Sequence, residues 1–430
     1  MRDIAITLIV VIGCLYTLKR PYIGILLWSW LSYMNPHRLA YGFAYNMPFA
    51  YVTALVLMGA MVFSKETQKL PINAITILWI LFIAFMGITT LFAYFPDDAN
   101  SYYIRVLKIQ LIAFITMMLI TDLTKLNHLV WVIALSIGYY SIKGGVFTLL
   151  SGGGAIVWGP ADSFIEGNNE LAVATLMTVP LMAYLYQISS RKWVKKGLLV
   201  AMALSFIAAM GSQSRGALLA FAAVAAFLWI KNDKKVIVGI CMMILIMGIL
   251  AFMPVSWFNR MDTIQTYEKD SSAMGRLNAW EYAINAAKDN LLGVGFESWS
   301  PITFAQYAPD PNDVHAAHSI YFMVLADHGW IGLLMFLLIF YLAWGKLKYI
   351  IKNTDKKPEL KELNFLARMI QVSLIAYLVG GAFLSLSYFD LPWHLVSFVV
   401  ILETILAKQY SDYLSLNKQM PHQIKRNKFS

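Results

Sequence analysis

Apolar runs close to the length of a bilayer crossing recur through most of this chain, and that recurrence constrains its fold more than any single motif. They fall near 4–18, 22–34, 47–63, 72–93, 104–121, 128–150, 170–188, 195–211, 216–231, 236–254, 319–346, 366–387 and 392–408. A helix needs roughly 20 apolar residues to cross the hydrocarbon. Of the 430 residues, 59% are hydrophobic and only 13% are charged. Soluble domains carry about a quarter charged residues, so this chain has too little polar surface to cover a water-soluble globule. The pattern predicts an all-α polytopic membrane protein of about twelve spans. A helix bundle is expected over 1–254, a long extramembrane loop over 255–318, further spans over 319–409 and a basic tail over 410–430.

The formal charge is +10, but its placement argues against nucleic acid. Basic residues sit in short loops between apolar runs: Arg191, Lys192, Lys195 and Lys196; Lys231, Lys234 and Lys235; Lys346 through Lys361; and Lys425, Arg426 and Lys428. That is the positive-inside distribution, which orients a chain in a membrane and needs no polyanionic partner. It predicts 64–70, 122–127, 189–196, 232–235, 347–365 and the tail on the cytoplasmic side. The opposite side then holds 94–103, 151–169, 212–215, 255–318 and 388–391. Residues 1–34 read either as two short spans or as one span with a re-entrant piece. The first run is followed by Lys19-Arg20-Pro21 and more apolar sequence, so it reads as a retained anchor. Cys14 and Cys241 lie in apolar runs as small hydrophobes. Neither metal-ligand spacing nor an Asp-x-Asp cluster is present, so no metal and no cofactor are expected.

The segment 255–318 is the only long loop, and loops of that length are usually functional. Within it Met274, Leu277, Trp280, Ile284 and Ala287 recur at helical spacing, with Arg276, Asn278, Glu281 and Asn285 off that stripe. An amphipathic helix resting on the membrane surface is expected there. Gly293 and Gly295 end it, and Pro309 to Asp313 reads as turns.

A few side chains stand out chemically. Arg215 lies in the four-residue turn between two spans, on the side depleted in positive charge, beside Ser212, Gln213 and Ser214. It either snorkels to fix helix depth or grips a phosphate through parallel hydrogen bonds. Arg276 is a second cation on the loop helix, either solvated or convergent with Arg215 on one pyrophosphate. His318 begins the span after the loop, and an imidazole of ordinary pKa there can act as general base. His315 is close enough in sequence to be an alternative. Asp327 falls on the helix face opposite His318, so a helix-packing or water-linked role suits it better than a dyad. Asn168, Asn169 and Glu170 precede a span on the same side, as helix caps or as sugar ligands, and Asp390 in the last such turn is equally open.

These stretches together resemble the O-antigen ligase family of integral-membrane glycosyltransferases. Gly275-Arg276-Leu277-Asn278-Ala279-Trp280, running on to Asp289-Asn290-Leu291-Leu292-Gly293-Val294-Gly295-Phe296, is similar to that family's loop signature. So is His318-Ser319 followed after nine residues by Gly329-Trp330-Ile331-Gly332. Ser214-Arg215-Gly216 and Gly167-Asn168-Asn169-Glu170-Leu171-Ala172 also look like family positions, and the resemblance spans 160–345. Arg20-Pro21-Tyr22-Ile23-Gly24 and Asn35-Pro36-His37-Arg38-Leu39 look like the branch of O-glycosylation ligases associated with exosortase systems. Asp327-His328 before Gly329 departs from the family, where an acidic residue more often precedes the glycine directly.

The resemblance implies a GT-C-like bundle of about twelve helices with one large periplasmic loop, in the inner membrane of a Gram-negative cell. It implies metal-independent transfer of a glycan from undecaprenyl pyrophosphate to lipid A–core, with membrane lipids around the protein. Arg215 and Arg276 are expected to bind the pyrophosphate, His318 to take the hydroxyl proton, and Trp280, Asn168, Asn169, Ser319 and His315 to contact substrate. O-antigen polymerase and protein O-oligosaccharyltransferase activities remain alternatives. So does transport of the lipid-linked glycan, although no repeated halves are evident.

Overall fold

The structure is a computed structural model that describes residues 1–64, 69–231, 235–255, 257–258 and 271–426. Parts of the expected basic loops 64–70 and 232–235, the start of the long loop and the last four tail residues lie outside the described residues. Among those described there are helices and no strands. The succession is α1 (Arg2–Lys19), α2 (Tyr22–Met34), α3 (Phe49–Phe63), α4 (Ala74–Leu91), α5 (Pro96–Leu119), α6 (Leu123–Leu150), α7 (Asn168–Ile188), α8 (Lys192–Gly211), α9 (Arg215–Lys231) and α10 (Lys235–Phe252). It continues with α11 (Ser271–Asp289), α12 (Pro301–Tyr307), α13 (Ile320–Thr354), α14 (Lys361–Gly380) and α15 (Asp390–Arg426).

Eight of these segments are long and apolar enough to cross a membrane: α4 to α8, α13, Pro358–Phe383 around α14, and Asp390–Gln409 of α15. The N-terminal ambiguity takes a definite form. Helix α2 has 13 residues and α3 has 15, short of the roughly 20 that a crossing needs. Between them the chain leaves α2 through a left-handed Asn35 (φ 50°) and makes two 3₁₀ turns, Pro36–Leu39 and Phe43–Asn46. Helix α15 runs on from its apolar stretch through the expected basic tail to Arg426.

Helix α7 is buried on nearly every side, enclosed by α6, α8, α9 and α14. Short side chains permit the close approach: a Cβ on Gly145 of α6 would meet the Leu204 backbone at 2.7 Å. The two ends of the bundle differ chemically. At one end Asn127 and Tyr184 meet Glu362 (2.6 and 2.9 Å), and Lys346 and Asn73 meet Glu403 (2.6 and 3.0 Å). This end carries the basic loops. The start of α7, the 212–214 turn and the 381–389 turn gather at the other end, beneath α11 and α12.

Helix α13 is broken at Gly329, where φ 64° and ψ −170° leave the helical region. Such a backbone is open essentially to glycine alone. The break frees carbonyls that burial would otherwise orphan, and the Gly293-Val294-Gly295 run supplies donors. Val294 N bonds Ala326 O at 2.8 Å and Gly295 N bonds Asp327 O at 3.1 Å. Tyr94 N in turn bonds Val294 O at 3.0 Å. A Cβ at Gly293 would sit 2.6 Å from Ala326 O, so the close approach demands glycine there too. The family-like glycines are thus the two halves of one joint.

Helix α11 forms as the spacing predicts, but its buried face is rotated. Ala279, Tyr282, Ala283, Ala286 and Ala287 pack on Val294, Phe304, Tyr307, Leu325 and Ala326, while Met274 and Leu277 are exposed. Small residues won because α11 lies flat on the upper leg of α13, and alanines let the two helices approach. Asn278 and Asn285 are not a solvated face either. The Asn278 amide donates to the carbonyls of Asp310 and Asp313 (both 2.9 Å) and accepts from Asp310 N, and Asn285 donates to Tyr307 O.

Candidate functional site

The turn 212–214 before α9 is braced at every position. Ser212 Oγ donates to Ala209 O (2.6 Å), and Ser214 Oγ accepts from Ala217 N (3.1 Å), capping α9. Gln213 takes a left-handed φ of 55° and sends its amide to Gly153 O (3.3 Å). The hydroxyls and amide read from the sequence as donors beside Arg215 therefore chiefly hold the turn. Asn168 adds to it, donating to Ser212 O at 2.7 Å from a buried position. Helix α7 is instead capped by Gly167, with no side-chain bond. Asn168 is a strut between α7 and the arginine turn.

This bracing fixes Arg215 at the first residue of α9, where its half-buried side chain faces a small cavity of ≈ 60 Å³. Arg276, one turn into α11, lines the same cavity. Asn169, Gln213, Ser214, Ser272, Phe383 and Leu384 complete the wall. Two guanidinium groups from elements 61 residues apart in sequence thus share one polar chamber. Nearby anions temper that charge: Glu170 lies within electrostatic range of Arg276.

His318 comes to the same corner. It occupies a left-handed backbone (φ 43°) immediately before Ser319, the N-cap of α13. Such strain, of about 1–3 kcal/mol, persists only where the surroundings enforce it. The enforcement is visible on both sides. Trp280 of α11 donates its indole N–H to Ala317 O at 2.7 Å and stacks on Phe322 of α13 with ring centroids 4.9 Å apart. His318 is half-buried, and its pKa lies below the ordinary 6.5, because burial disfavours the imidazolium and Arg276 and His315 add positive charge nearby. The ring is therefore neutral at neutral pH and free to accept a proton. Ser319 Oγ is buried and has no hydrogen-bond partner among the described residues.

His315 is placed differently. It is exposed and pairs with Asp313 through Nε2 at 2.7 Å. The pair rests on Gly275, where any Cβ would run into the His315 ring. Arg276 is the next residue, so this contact locks its helix turn against the 310–318 loop.

Asp327 and His328 lie away from the chamber in the core. Tyr388 OH donates to Asp327 Oδ2 (2.9 Å) and meets His328 Nε2 (3.0 Å), and His328 Nδ1 meets Thr89 (2.7 Å). They link α4, α13 and the turn before α15, the packing role expected. Asp390 is also buried, where it accepts a hydrogen bond from Ser32. Sequence reasoning did not single out Phe383, Leu384 or Ser272 as wall residues, nor Asp313 as the partner of His315. None of these carries a chemical signal of its own.

Comparison with known families bears on the same stretch. Residues 200–337 match the family described as O-Antigen ligase, and residues 1–190 match a family of unknown function, DUF5935. No curated protein matches the chain. The O-antigen ligase match contains Arg215, Arg276, Trp280, His315, His318 and Ser319, whereas Asn168 and Asn169 fall in the other. Over residues 200–337 the resemblance read from the sequence is borne out: that stretch is similar to the O-antigen ligase family of membrane glycosyltransferases.

Proposed function

We propose that this protein is an O-antigen ligase that transfers a glycan from undecaprenyl pyrophosphate to a hydroxyl of lipid A–core, at the periplasmic face of the inner membrane. The observation that carries this reading is the convergence of Arg215 and Arg276 on one polar chamber, with a neutral His318 within electrostatic range of Arg276. A guanidinium pair suits a pyrophosphate because each planar fork can hold two phosphate oxygens.

In the reaction the acceptor oxygen bonds to the anomeric carbon, the bond from that carbon to the pyrophosphate oxygen breaks, and undecaprenyl pyrophosphate departs. Pyrophosphate is a good leaving group, so its growing charge needs stabilising more than it needs a proton. Arg215 and Arg276 supply that charge without a metal, and His318 takes the acceptor proton. Attack from the face opposite the pyrophosphate inverts the anomeric centre. Asn169, in the chamber wall, would hold a sugar hydroxyl, and Ser319, buried beside His318, would do so once the acceptor opens the site. Asn168, Trp280 and His315 hold the turn, the base loop and the arginine helix in register.

The test is reconstitution of purified protein with polyprenyl-pyrophosphate glycan and lipid A–core in EDTA, comparing wild type with His318→Ala. Histidine-dependent glycosylation of the core lipid is the expected product. Growth of glycan on the polyprenyl carrier would make the enzyme a polymerase, and activity that vanishes in EDTA would remove the metal-free mechanism.

A further inference from the structure

A large cavity lies outside the arginine chamber, among α2, α3 and α5. It is a groove of ≈ 650 Å³ whose walls include Trp28, Ala54, Met58 and Ile112. Tyr51, Leu55 and Leu111 line it while more than a third exposed, so it opens along the side of the bundle.

Two cations break this apolar surface. Arg105 and Lys108 of α5 line the groove one turn apart, and both are exposed. At 1.5 Å per residue they lie about 14 and 18 Å along α5 from Pro96. They follow Asp97 and Asp98 and lie at the start of the apolar stretch 104–121, where the helix enters its span. Cations at that boundary meet lipid headgroups and favour anionic ones. Among the described residues neither cation has an ion pair, Arg105 being met only by the Phe164 ring at 4.4 Å. The carboxylates around them do not fill that role. Asp162 pairs with Arg38 at 3.6 Å, while Asp390, bonded to Ser32, and Glu297 act on Arg105 at a distance, short of an ion pair.

The groove also adjoins the transfer site through two shared segments. The first runs from Asp162–Ile165, which line the groove, to Asn169, which lines the arginine chamber. The second runs from Phe383 and Leu384 in the chamber to Phe389 and Asp390 in the groove. The arginine chamber and an apolar furrow with two exposed cations are thus lined by neighbouring stretches of the same two segments.

We infer that this groove is the acceptor-lipid site: it holds an acyl chain of the acceptor, with a phosphate of its headgroup between Arg105 and Lys108. This rests on the ligase reading for the identity of the acceptor, while the binding chemistry rests on the groove alone. Neutralising two cations in a low-dielectric setting selects an anionic headgroup over an uncharged one. A site for the second lipid beside the donor chamber lets both substrates enter from the bilayer without crossing.

The experiment uses the full chain in nanodiscs of uncharged lipid, with a diazirine-bearing monoacyl phosphate as the binding probe. Labelling of α3 and α5 is expected, reduced at least tenfold in Arg105→Gln/Lys108→Gln and by Ala54→Trp, and competed by lipid A–core. A monoacylglycerol probe that labels equally well would show a mere lipid-facing furrow and overturn the proposal. Competition by polyprenyl pyrophosphate instead of lipid A–core would give the groove to the donor and overturn it too. In the transfer assay the double variant should raise the acceptor KM about tenfold and leave the donor KM and kcat near wild type. A fall in kcat with unchanged acceptor KM counts against it. Labelling needs no transfer, so it reads the groove even if the ligase reading fails.

Discussion

The indole N–H of Trp280 is bonded to the carbonyl of Ala317, the residue before His318, at 2.7 Å. One bond therefore couples α11, which carries Arg276, to the loop that carries the proposed base. Trp280→Phe keeps the stacking on Phe322 and removes the bond, a net loss of about 1 kcal/mol. Small displacements of reacting groups cost rate steeply, so kcat should fall roughly tenfold while the thermal midpoint changes little. Equal activity in the two proteins would show that the coupling is dispensable.

Loss of either chamber arginine should be far more severe. Arg215→Gln and Arg276→Gln are each expected to lower kcat/KM by about a hundredfold or more, the usual scale for a donor that stabilises developing charge. Lysine keeps the charge but not the planar fork, so Arg276→Lys should recover only part of the loss. Full recovery with lysine at both positions would mean that charge alone matters.

The His318 pKa is depressed, so its neutral form persists below the ordinary 6.5. Activity limited by this base is therefore retained on acidification to pH 6.5 and falls only beneath it. Arg276→Gln removes one of the causes and should move the acid limb of the residual rate upward. A profile with its acid limb above 6.5 in the wild type would assign the proton transfer to a different group.

Gly329→Ala tests the joint in α13. Its backbone (φ 64°, ψ −170°) is glycine's own territory, and the added methyl would press on the Leu291 carbonyl. A destabilisation of about 1–3 kcal/mol is expected, read as a lower thermal midpoint of the purified protein. Gly197→Ala, with open space around it, is the control and should be neutral.

The all-helical membrane class was legible because apolar runs are a local signature, and the arginine and histidine candidates drew notice the same way, as a charge in a short turn and an imidazole at a helix start. What was not legible arose from tertiary pairing. The stripe from Met274 to Ala287 gave the right helix and the wrong face, because hydrophobicity alone cannot weigh a leucine facing outward against an alanine needed for close packing. Asn168 read as a cap or a sugar ligand, and the partner its amide takes in the fold, Ser212 O, lies 44 residues away. Gly293 and Gly329 each signalled a break, but only the fold shows that the donors of one stretch satisfy the carbonyls of the other. Phe383 and Leu384 carried no signal because a chamber wall needs only bulk.

That joint has a mechanical meaning. A continuous helix from Ile320 to Thr354 would transmit any tilt of its membrane leg to the chain just ahead of it, and so to His318. Because the rod is interrupted at Gly329 and its stump is clamped by 293–295, the short leg belongs to the same solid as α11. His318 and Arg276 are therefore carried by one block, and their mutual spacing does not depend on how the membrane leg of α13 is tilted.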